Sequence, residues 1–297
     1  MTQSDSDFVS RQGSQQLGSL QLGVAAQGNL RWAVVDVTAP LESMRQALDL
    51  SPVAAVALGR AVAAAALVLR FSSKGPSQLL FEVLGDGPLG KIIADVDFEG
   101  RLRGLVGNPQ LAAEEDQGLS IQWAIGQGTL RVTQESDRGR YSSQVELVSG
   151  ELGNDLVHFL EQSQQIRSAA LLGVLPVKAG IGAAGGLLIE AFPGVPEETL
   201  VQLESNIAGL GGVSAYLSAG GAEALRDAVL TGFDCEELER YPLRHSCRCR
   251  RESLLAPIQR LPSEEIDALV DEQGRIAAAC AFCGTRYEIS RDDLAVN

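Results

Sequence analysis

Apolar and polar residues alternate, or cluster in short apolar runs, along most of the first 190 residues. These strand-like runs are separated by turns that contain glycine and proline, which predicts a mostly antiparallel sheet. One turn signal is GDGPLG at 85–90. An alternating pair of segments predicts a further hairpin with Gly126 and Gly128 at its tip. The predicted strands are 30–37, 79–83, 91–97, 101–106, 119–125, 129–134, 171–177 and 186–192.

Helical spacing of apolar residues occurs in three places within the same region. The segments 41–50 and 155–166 each predict a helix with one apolar face. The segment 52–71 is rich in alanine and is interrupted by Arg60, which favours a buried core helix over a membrane span. We therefore expect an α+β protein whose N-terminal core domain, 1–192, is built on a mostly antiparallel sheet.

The pattern changes after residue 192. Pro193, Gly194 and Pro196 mark a boundary, and apolar residues then recur at helical spacing to about residue 238. Glycines interrupt this helical pattern, and an interior glycine costs about 0.5–1 kcal/mol relative to alanine. We expect a helical connector of low intrinsic stability over 193–242, followed by a small C-terminal module over 243–297.

Charge and cysteine content restrict the classes of function. The 297 residues carry a net charge of −14, which disfavours general binding to nucleic acid. The first twelve residues, MTQSDSDFVSRQ, lack a basic segment followed by an apolar run, so no export signal is predicted and a cytoplasmic location is expected. Four of the five cysteines lie within 247–283. In a reducing compartment such clustering indicates metal or redox chemistry rather than standing disulfides.

The clustered cysteines form a CxC pair and a CxxC-Gly pair separated by 30 residues. Four thiolates suit one tetrahedral Zn²⁺ ion per chain, with Zn–S bonds of about 2.3 Å. A module of this size has a marginal apolar core, so metal binding would supply much of its folding free energy. The expected ligands are Cys247, Cys249, Cys280 and Cys283.

The residues around and between the two cysteine pairs predict an ordered module. The segments 275–279 and 286–289 predict the arms of a hairpin around the CxxC pair. Between the pairs, 264–271 predicts a helix, with Ser263 as its N-cap and Gly274 as its C-cap residue. This segment can fold back and bring the two pairs together.

Spacing alone leaves open whether such a site is an inert zinc ribbon or a redox switch. A CxC disulfide closes a small strained ring, which favours easy reversal. Residues 243–260 hold five arginines, including Arg250, against Glu252. Nearby cations lower the pKa of thiols and favour the reactive thiolate. Instead of lowering the pKa of the thiols, the arginines of this segment could form a solvated basic surface or contact nucleic acid.

The same residues carry a resemblance to a known family. The CxC-x30-CxxCG pattern, with LPSEEIDALVDEQG (261–274) between the pairs, resembles the heat-shock protein 33 family. The resemblance covers nearly the full length of the chain. Further similar segments occur in the family's order: GRAVAAAALVLRF (59–71), LLFEVLGDGPLGKIIADVDFEGRLRGLVGNP (79–109), FLEQSQQI (159–166) and AGGLLIEAFPG (184–194).

The resemblance implies a redox-regulated, ATP-independent holdase chaperone of the oxidative stress response. The reduced, zinc-bound form is expected to be inactive. Oxidation is expected to form the disulfides Cys247–Cys249 and Cys280–Cys283, release zinc, and partly unfold the module and connector. The exposed surface would then bind unfolding client polypeptides and prevent their aggregation, with a homodimer as the expected oxidised form.

Other chemical signals in the sequence are weaker. Cys235 lies outside the cysteine pattern and is expected to be buried or idle, and His245 is a possible substitute ligand. GxGxxG at 180–185 is followed by a strand-like run, so a turn between strands is the better interpretation than a dinucleotide site. Two histidines and the absence of GxSxG give a hydrolase no support.

Three aspartates near turns, Asp86, Asp95 and Asp97, are expected to be solvated. Because these chemical signals are weak, no enzyme activity is expected. Because the segment 52–71 is interpreted as a core helix, no membrane partner is expected. The alternative function is a constitutive zinc-ribbon adaptor that binds nucleic acid or a protein partner through the arginine-rich segment 244–260.

Overall fold

The structure, a computed structural model, describes residues 17–294 except 74, 115 and 272. The twelve N-terminal residues on which the absence of an export signal was predicted lie outside the described residues. Contacts divide the chain into a first unit that ends at His245 and a second unit that begins at Ser246. The first unit is α+β, as the sequence predicts, and is built on a ten-stranded sheet.

The sheet of the first unit is antiparallel at every pairing but one. Its strand order is β7-β6-β3-β4-β5-β10-β1-β2-β9-β8. The exception is a parallel seam between β5 and β10, where Arg244 pairs with Arg101 and His245 with Leu102. The strands are β1 (Gly18–Ala25), β2 (Leu30–Asp36), β3 (Ser77–Gly85), β4 (Lys91–Asp97), β5 (Arg101–Val106), β6 (Gly128–Ser136), β7 (Gly139–Glu146), β8 (Ser168–Val177), β9 (Gly180–Ala191) and β10 (Cys235–His245).

Helices cover the sheet and connect its strands. In the first unit they are α1 (Thr38–Leu48), α2 (Pro52–Ser72), α3 (Gln122–Ile125), α4 (Leu152–Gln164), α5 (Glu197–Ala208) and α6 (Val213–Val229). One apolar cluster lies around α2, and a second lies between the other face of β1, β2 and β9 and the helices α5 and α6. The sheet therefore separates two cores.

Helix α2 is the buried core helix that the sequence predicts. Ser51 accepts a hydrogen bond from the amide of Ala54 at 3.3 Å, and Pro52 occupies the first turn, where its missing amide costs nothing. The helix is long and apolar enough to cross a membrane, but 89% of that apolar window is buried inside the protein. Gly59 lets Leu41 approach the helix, because a Cβ there would lie 2.5 Å from a Leu41 methyl carbon.

A stacked arginine lies beside the seam between β5 and β10. The Arg70 guanidinium lies 4.2 Å from the centre of the Phe98 ring and 3.6 Å from that of Tyr241. Its Nη2 donates to the carbonyl of Phe98. Because Tyr241 belongs to β10, this stack ties the last strand of the first unit to α2.

Two assignments of strands and turns in the first unit are wrong. Residues 119–125 do not form a strand, because 122–125 is the helix α3 and β6 pairs with β7 and β3 instead. The glycines of 180–185 lie within β9 rather than in a turn. At Gly185 a Cβ would lie 2.1 Å from the carbonyl oxygen of Val35, so glycine permits β9 to approach β2. The turn itself is at 178–179.

The expectation of solvated aspartates is wrong for Asp95 and Asp97, which are buried. Asp95 pairs with Arg103 at 2.7 Å, and Asp97 pairs with Arg101 at 2.6 Å. Buried carboxylates require such partners, since an unpaired charge in the interior is costly.

The connector is helical only in part. Helices α5 and α6 follow the predicted boundary, but the helix predicted to about residue 238 is wrong, since β10 begins at Cys235. Leu203 is the buried residue of α5, whereas α6 buries four side chains. Gly220 and Gly221 have non-helical backbone angles and divide α6 at a kink. The connector is therefore held more weakly at α5 than at the end of α6.

We predict that Tyr241→Leu lowers the free energy of unfolding of the first unit by about 1–2 kcal/mol, because the largely buried Arg70 loses one of its two aromatic faces. Both tryptophans, Trp32 and Trp123, lie in this unit, so tryptophan fluorescence during urea unfolding reports on it. The control is Tyr141→Leu, at a side chain that is 62% exposed. Equal midpoints for the two variants would contradict the role of the stack.

Candidate metal centre

The second unit is a small module around a two-stranded hairpin. It contains α7 (Arg251–Ile258), α8 (Ser263–Leu269), β11 (Arg275–Ala279), β12 (Arg286–Ser290) and α9 (Arg291–Leu294). The predicted hairpin is confirmed, with Arg275 opposite Ser290 and Ala279 opposite Arg286. Pairing at both ends fixes the turn that carries Cys280 and Cys283.

The turn between the strands orients the CxxC pair. The amide of Gly284 donates to the carbonyl of Cys280 at 2.8 Å, and the amide of Cys280 donates to the carbonyl of Thr285 at 2.9 Å. Gly284 has φ 69°, a left-handed conformation that glycine adopts without the steric cost of a Cβ. The turn 280–284 is thus a knuckle that depends on the glycine which follows Cys283.

The predicted caps of the intervening helix are wrong, although the helix itself is present. Ser263 is the first residue of α8 and makes no capping hydrogen bond, because Pro262 precedes it as the N-cap residue. Gly274 does not end the helix, which stops at Leu269. Its amide instead donates to the carbonyl of Asp271 at 2.9 Å, in the turn that leads into β11.

The four clustered cysteines converge on one point. Their Sγ atoms all lie within 4.8 Å of one another. The Sγ–Sγ distance is 3.7 Å for Cys247 and Cys280 and 3.5 Å for Cys249 and Cys283. Zn–S bonds of about 2.3 Å in a tetrahedron place neighbouring sulfurs about 3.8 Å apart. The donor set therefore fits a tetrahedral metal ion such as Zn²⁺.

The pKa values of these thiols give a second, chemical reason for a cation. Burial, followed by the neighbouring sulfurs, raises the pKa of Cys247, and burial raises that of Cys249. Burial is the largest influence on Cys283 and opposes its ionisation, but the hydrogen bonds of Thr285, Cys249 and Cys247 together outweigh it and lower the pKa of Cys283. Without a cation the cluster thus resists carrying several negative charges, and a divalent ion removes that conflict.

Two side chains outside the cysteine pattern contact the sulfurs, and sequence analysis did not identify them. The hydroxyl oxygen of Tyr287 lies 3.2 Å from Sγ of Cys249, and that of Thr285 lies 3.1 Å from Sγ of Cys283. Hydroxyl donors stabilise a thiolate and orient it. Their positions two and four residues after Cys283, on the returning chain of the hairpin, are the signal that could have revealed them.

The remaining candidates lie outside the cluster. Cys235 is exposed on β10, so of the two alternatives, a buried or an idle thiol, the first is wrong. His245 ends β10 in the first unit, and burial lowers its pKa. Arg251 bonds to the carbonyl of Glu288 and to the Asp293 carboxylate. The main causes of the raised thiol pKa values are burial and neighbouring groups, so the expected lowering by arginines does not dominate at Cys247 and Cys249.

The fold and the site define a mixed α+β protein with a C-terminal four-thiol module suited to a metal ion. The sequence pattern of the Hsp33 protein family matches residues 19–290, so the chain belongs to that family. The resemblance to the heat-shock protein 33 family, noted from the sequence, is confirmed.

Known relatives agree in sequence and in structure. The chain is 35% identical over 292 residues to a 33 kDa chaperonin of Thermus thermophilus, covering 94% of this chain and 86% of that one. It is 39% identical over 282 residues to a 33 kDa chaperonin of Nostoc punctiforme, covering 91% of this chain and 92% of that one. The crystal structure of the 33 kDa chaperonin (heat shock protein 33 homolog) from Thermotoga maritima matches with a TM-score of 0.83 at 28% identity, covering 93% of this chain and 96% of that one. Family membership and these names support a chaperone.

We predict that Tyr287→Phe weakens zinc binding about tenfold, because groups that hydrogen-bond to metal ligands commonly contribute that much to affinity. Competition with a chromophoric chelator on the reduced full-length protein measures the change. The control is Arg286→Lys, on the adjacent residue of β12, whose side chain points to the opposite face of the hairpin. If both variants retain parental affinity, the Tyr287 contact does not support the site.

Proposed function

We propose that this protein is a redox-regulated, ATP-independent holdase chaperone of the cytoplasm. In the reduced state Cys247, Cys249, Cys280 and Cys283 hold one Zn²⁺ ion, and the protein is inactive towards clients. Bound zinc supplies a cross-link between the two cysteine pairs, with a folding free energy on the order of 10 kcal/mol in small zinc peptides. The convergence of the four thiols is the observation that carries the proposal.

The small core of the second unit explains why this site can act as a switch. Among the described residues of this unit, the buried hydrophobic side chains are Ile276, Cys280 and Ile289. A core of this size stabilises a domain poorly without a metal or a disulfide. Loss of the metal should therefore unfold the module rather than merely loosen it.

A two-electron oxidant such as hypochlorous acid accounts for the electrons lost when the thiolates form disulfides. Two thiolates lose two electrons and form one disulfide, while hypochlorous acid is reduced to chloride and hydroxide. Two oxidant molecules form Cys247–Cys249 and Cys280–Cys283, the pairing implied by the family. Peroxide performs the same oxidation and yields two hydroxide ions. Disulfide sulfurs are poor ligands, so the oxidised chain no longer holds the metal.

Loosening of the connector is the step that would expose a client-binding surface. Helix α5 is the candidate segment, since Leu203 is its buried side chain and its neighbour α6 is broken at Gly220 and Gly221. We propose that the exposed apolar surface binds unfolding polypeptides during oxidative stress and that the oxidised protein is a homodimer. Membrane and nucleic-acid partners are not part of the proposal.

The zinc-ribbon adaptor is less well supported than the chaperone. Its nucleic-acid contact depends on free cations in 244–260, yet Arg251 is engaged with Asp293 and with the carbonyl of Glu288. The net charge of −14 opposes phosphate binding as well. Salt-sensitive binding of RNA or DNA by the reduced protein would favour the adaptor.

The first test of the proposal measures zinc release and client protection on the same purified protein. We predict that hypochlorous acid releases about one zinc per chain, and that only the oxidised form suppresses aggregation of an unfolding client, reversibly with reductant. Cys283→Ser should bind zinc weakly and protect the client without oxidation. The control is Cys235→Ser, which removes an exposed thiol outside the cluster and should behave as the parent. Zinc release without client protection by either form would sink the switch.

A second prediction tests the connector. Leu203→Ala should lower the oxidant concentration needed for client protection, because truncating a buried leucine costs about 2–5 kcal/mol and α5 has no second buried anchor. The control is Val201→Ala, on the same helix at a side chain that is 58% exposed. The measurement is client protection against oxidant dose. Identical dose curves for the two variants would show that α5 docking does not limit activation.

A further inference from the structure

A groove lies around the start of β8, the strand at one end of the ten-stranded sheet. Two adjoining cavities of about 400 and 440 Å³ share Ile166, Arg167 and Ala191 in their walls. Helices α4 and α5 form the walls of the first cavity on either side of the strand, and the turn 192–195 closes the second. Both cavities belong to the first unit, and no cysteine of the described residues lines either of them.

Two buried acceptors line this groove without a partner among the described residues. They are Oε1 of Glu190, whose side chain is 3% exposed, and Oγ of Ser168. The other carboxylate oxygen of Glu190 pairs with Arg31, but burial outweighs that partner and raises the pKa of Glu190. Buried acceptors of this kind are normally satisfied, so a group that donates hydrogen bonds into the groove is indicated.

The register of β8 adds main-chain groups to the same place. Glu190 lies directly opposite Ser168, and the amide of Ala191 donates to the carbonyl of Arg167 at 2.9 Å. In an antiparallel ladder the next pair is therefore a non-hydrogen-bonded one. The amide and carbonyl of Ser168 thus point away from β9, towards the open side of the end strand, where an added strand would pair.

The walls of the groove define what it would accept. Apolar side chains of α5 and β9, including Leu200 and Ile189, line the first cavity. Three glutamates and one arginine are the charged side chains that line this cavity: Glu161, Glu197, Glu204 and Arg167. All three glutamates are exposed, so they add negative charge at the rim without closing the cavity. An apolar floor with an acidic rim favours segments in which apolar and basic residues alternate.

From these features we infer that the groove at the start of β8 binds an extended, apolar and basic polypeptide segment that adds to the sheet edge at Ser168. The inference goes beyond the proposed switch, because the groove is present while the four thiols are converged and α5 is folded. The occupant is a short peptide segment rather than a whole unfolding client, which the reduced protein does not hold. It does not depend on zinc release or on disulfide formation.

The test uses the reduced, zinc-loaded full-length protein and fluorescein-labelled decapeptides. One peptide alternates Val with Lys, and its counterpart alternates Val with Glu. Fluorescence anisotropy should show about tenfold tighter binding of the Lys peptide, weakening with salt, as expected for charge pairs at a rim. Equal binding of the two peptides, or no binding of either, would overturn the inference.

Two pairs of variants locate the contact. Glu197→Lys should weaken the Lys peptide about threefold or more, whereas Glu198→Lys makes the same charge change on the adjacent residue, outside the cavity wall, and should not. Ser168→Pro removes the outward amide at an edge position where proline is tolerated, and should weaken binding about fivefold. Ser168→Ala keeps that amide and is its control.

The outcomes separate this inference from the proposed function. If Glu197→Lys binds the Lys peptide as tightly as the unmodified protein does, the groove is not the binding site. This result holds even if Ser168→Pro fails to fold, because Glu197 is exposed and its replacement leaves the core intact. Zinc release and oxidant-dependent client protection are measured separately on the same variants. Loss of peptide binding with an intact redox response supports the groove, and loss of the redox response alone leaves it standing.

Discussion

The convergence of four thiols on one point is the constraint on which the second unit depends. Thiolates this close repel one another, and burial makes each charge costlier, which is why the pKa of Cys247 and Cys249 lies above the ordinary value. A bound divalent cation turns the same arrangement from an electrostatic cost into the main source of stability. The hairpin β11–β12, the knuckle at Gly284 and the contacts from Thr285 and Tyr287 all position sulfur atoms rather than build a core.

In the proposed switch, redox chemistry and folding are one process in the second unit. The groups that would hold the metal are also its most easily oxidised groups, and its described residues bury few apolar side chains besides. The first unit has the opposite character, because two apolar clusters on the faces of its sheet hold it without any metal. In the proposed switch, an oxidant would therefore act on the second unit while leaving the first folded.

Local patterns predicted the local structure well and the long-range pairings poorly. Helix α2 and the hairpin β11–β12 follow from patterns within a few residues, and both are confirmed. Strand β10 was missed because it pairs with β1, more than 200 residues earlier, and because most of its side chains are exposed and five of the eleven are charged. Segment 119–125 was assigned to a strand because its residues alternate, a signal too short to exclude the single helical turn that forms there. The cysteine cluster was predictable since metal ligands leave a spacing pattern, whereas Tyr287 and Thr285 are marked only by their positions after Cys283 on the returning chain of the hairpin.

The position of β10 limits how much of the chain the proposed switch can unfold. This strand lies between β5 and β1 inside the sheet, so losing it would divide the sheet at the seam and expose the core around α2. Arg70, stacked between Phe98 and Tyr241, opposes that separation. On the N-terminal side, Leu225 and Val229 bury the last turns of α6 beyond the kink at Gly220 and Gly221. In the proposed switch, loosening that starts at the weakly held α5 would meet a first barrier at the buried end of α6 and a second at β10, which would limit it to about 197–220.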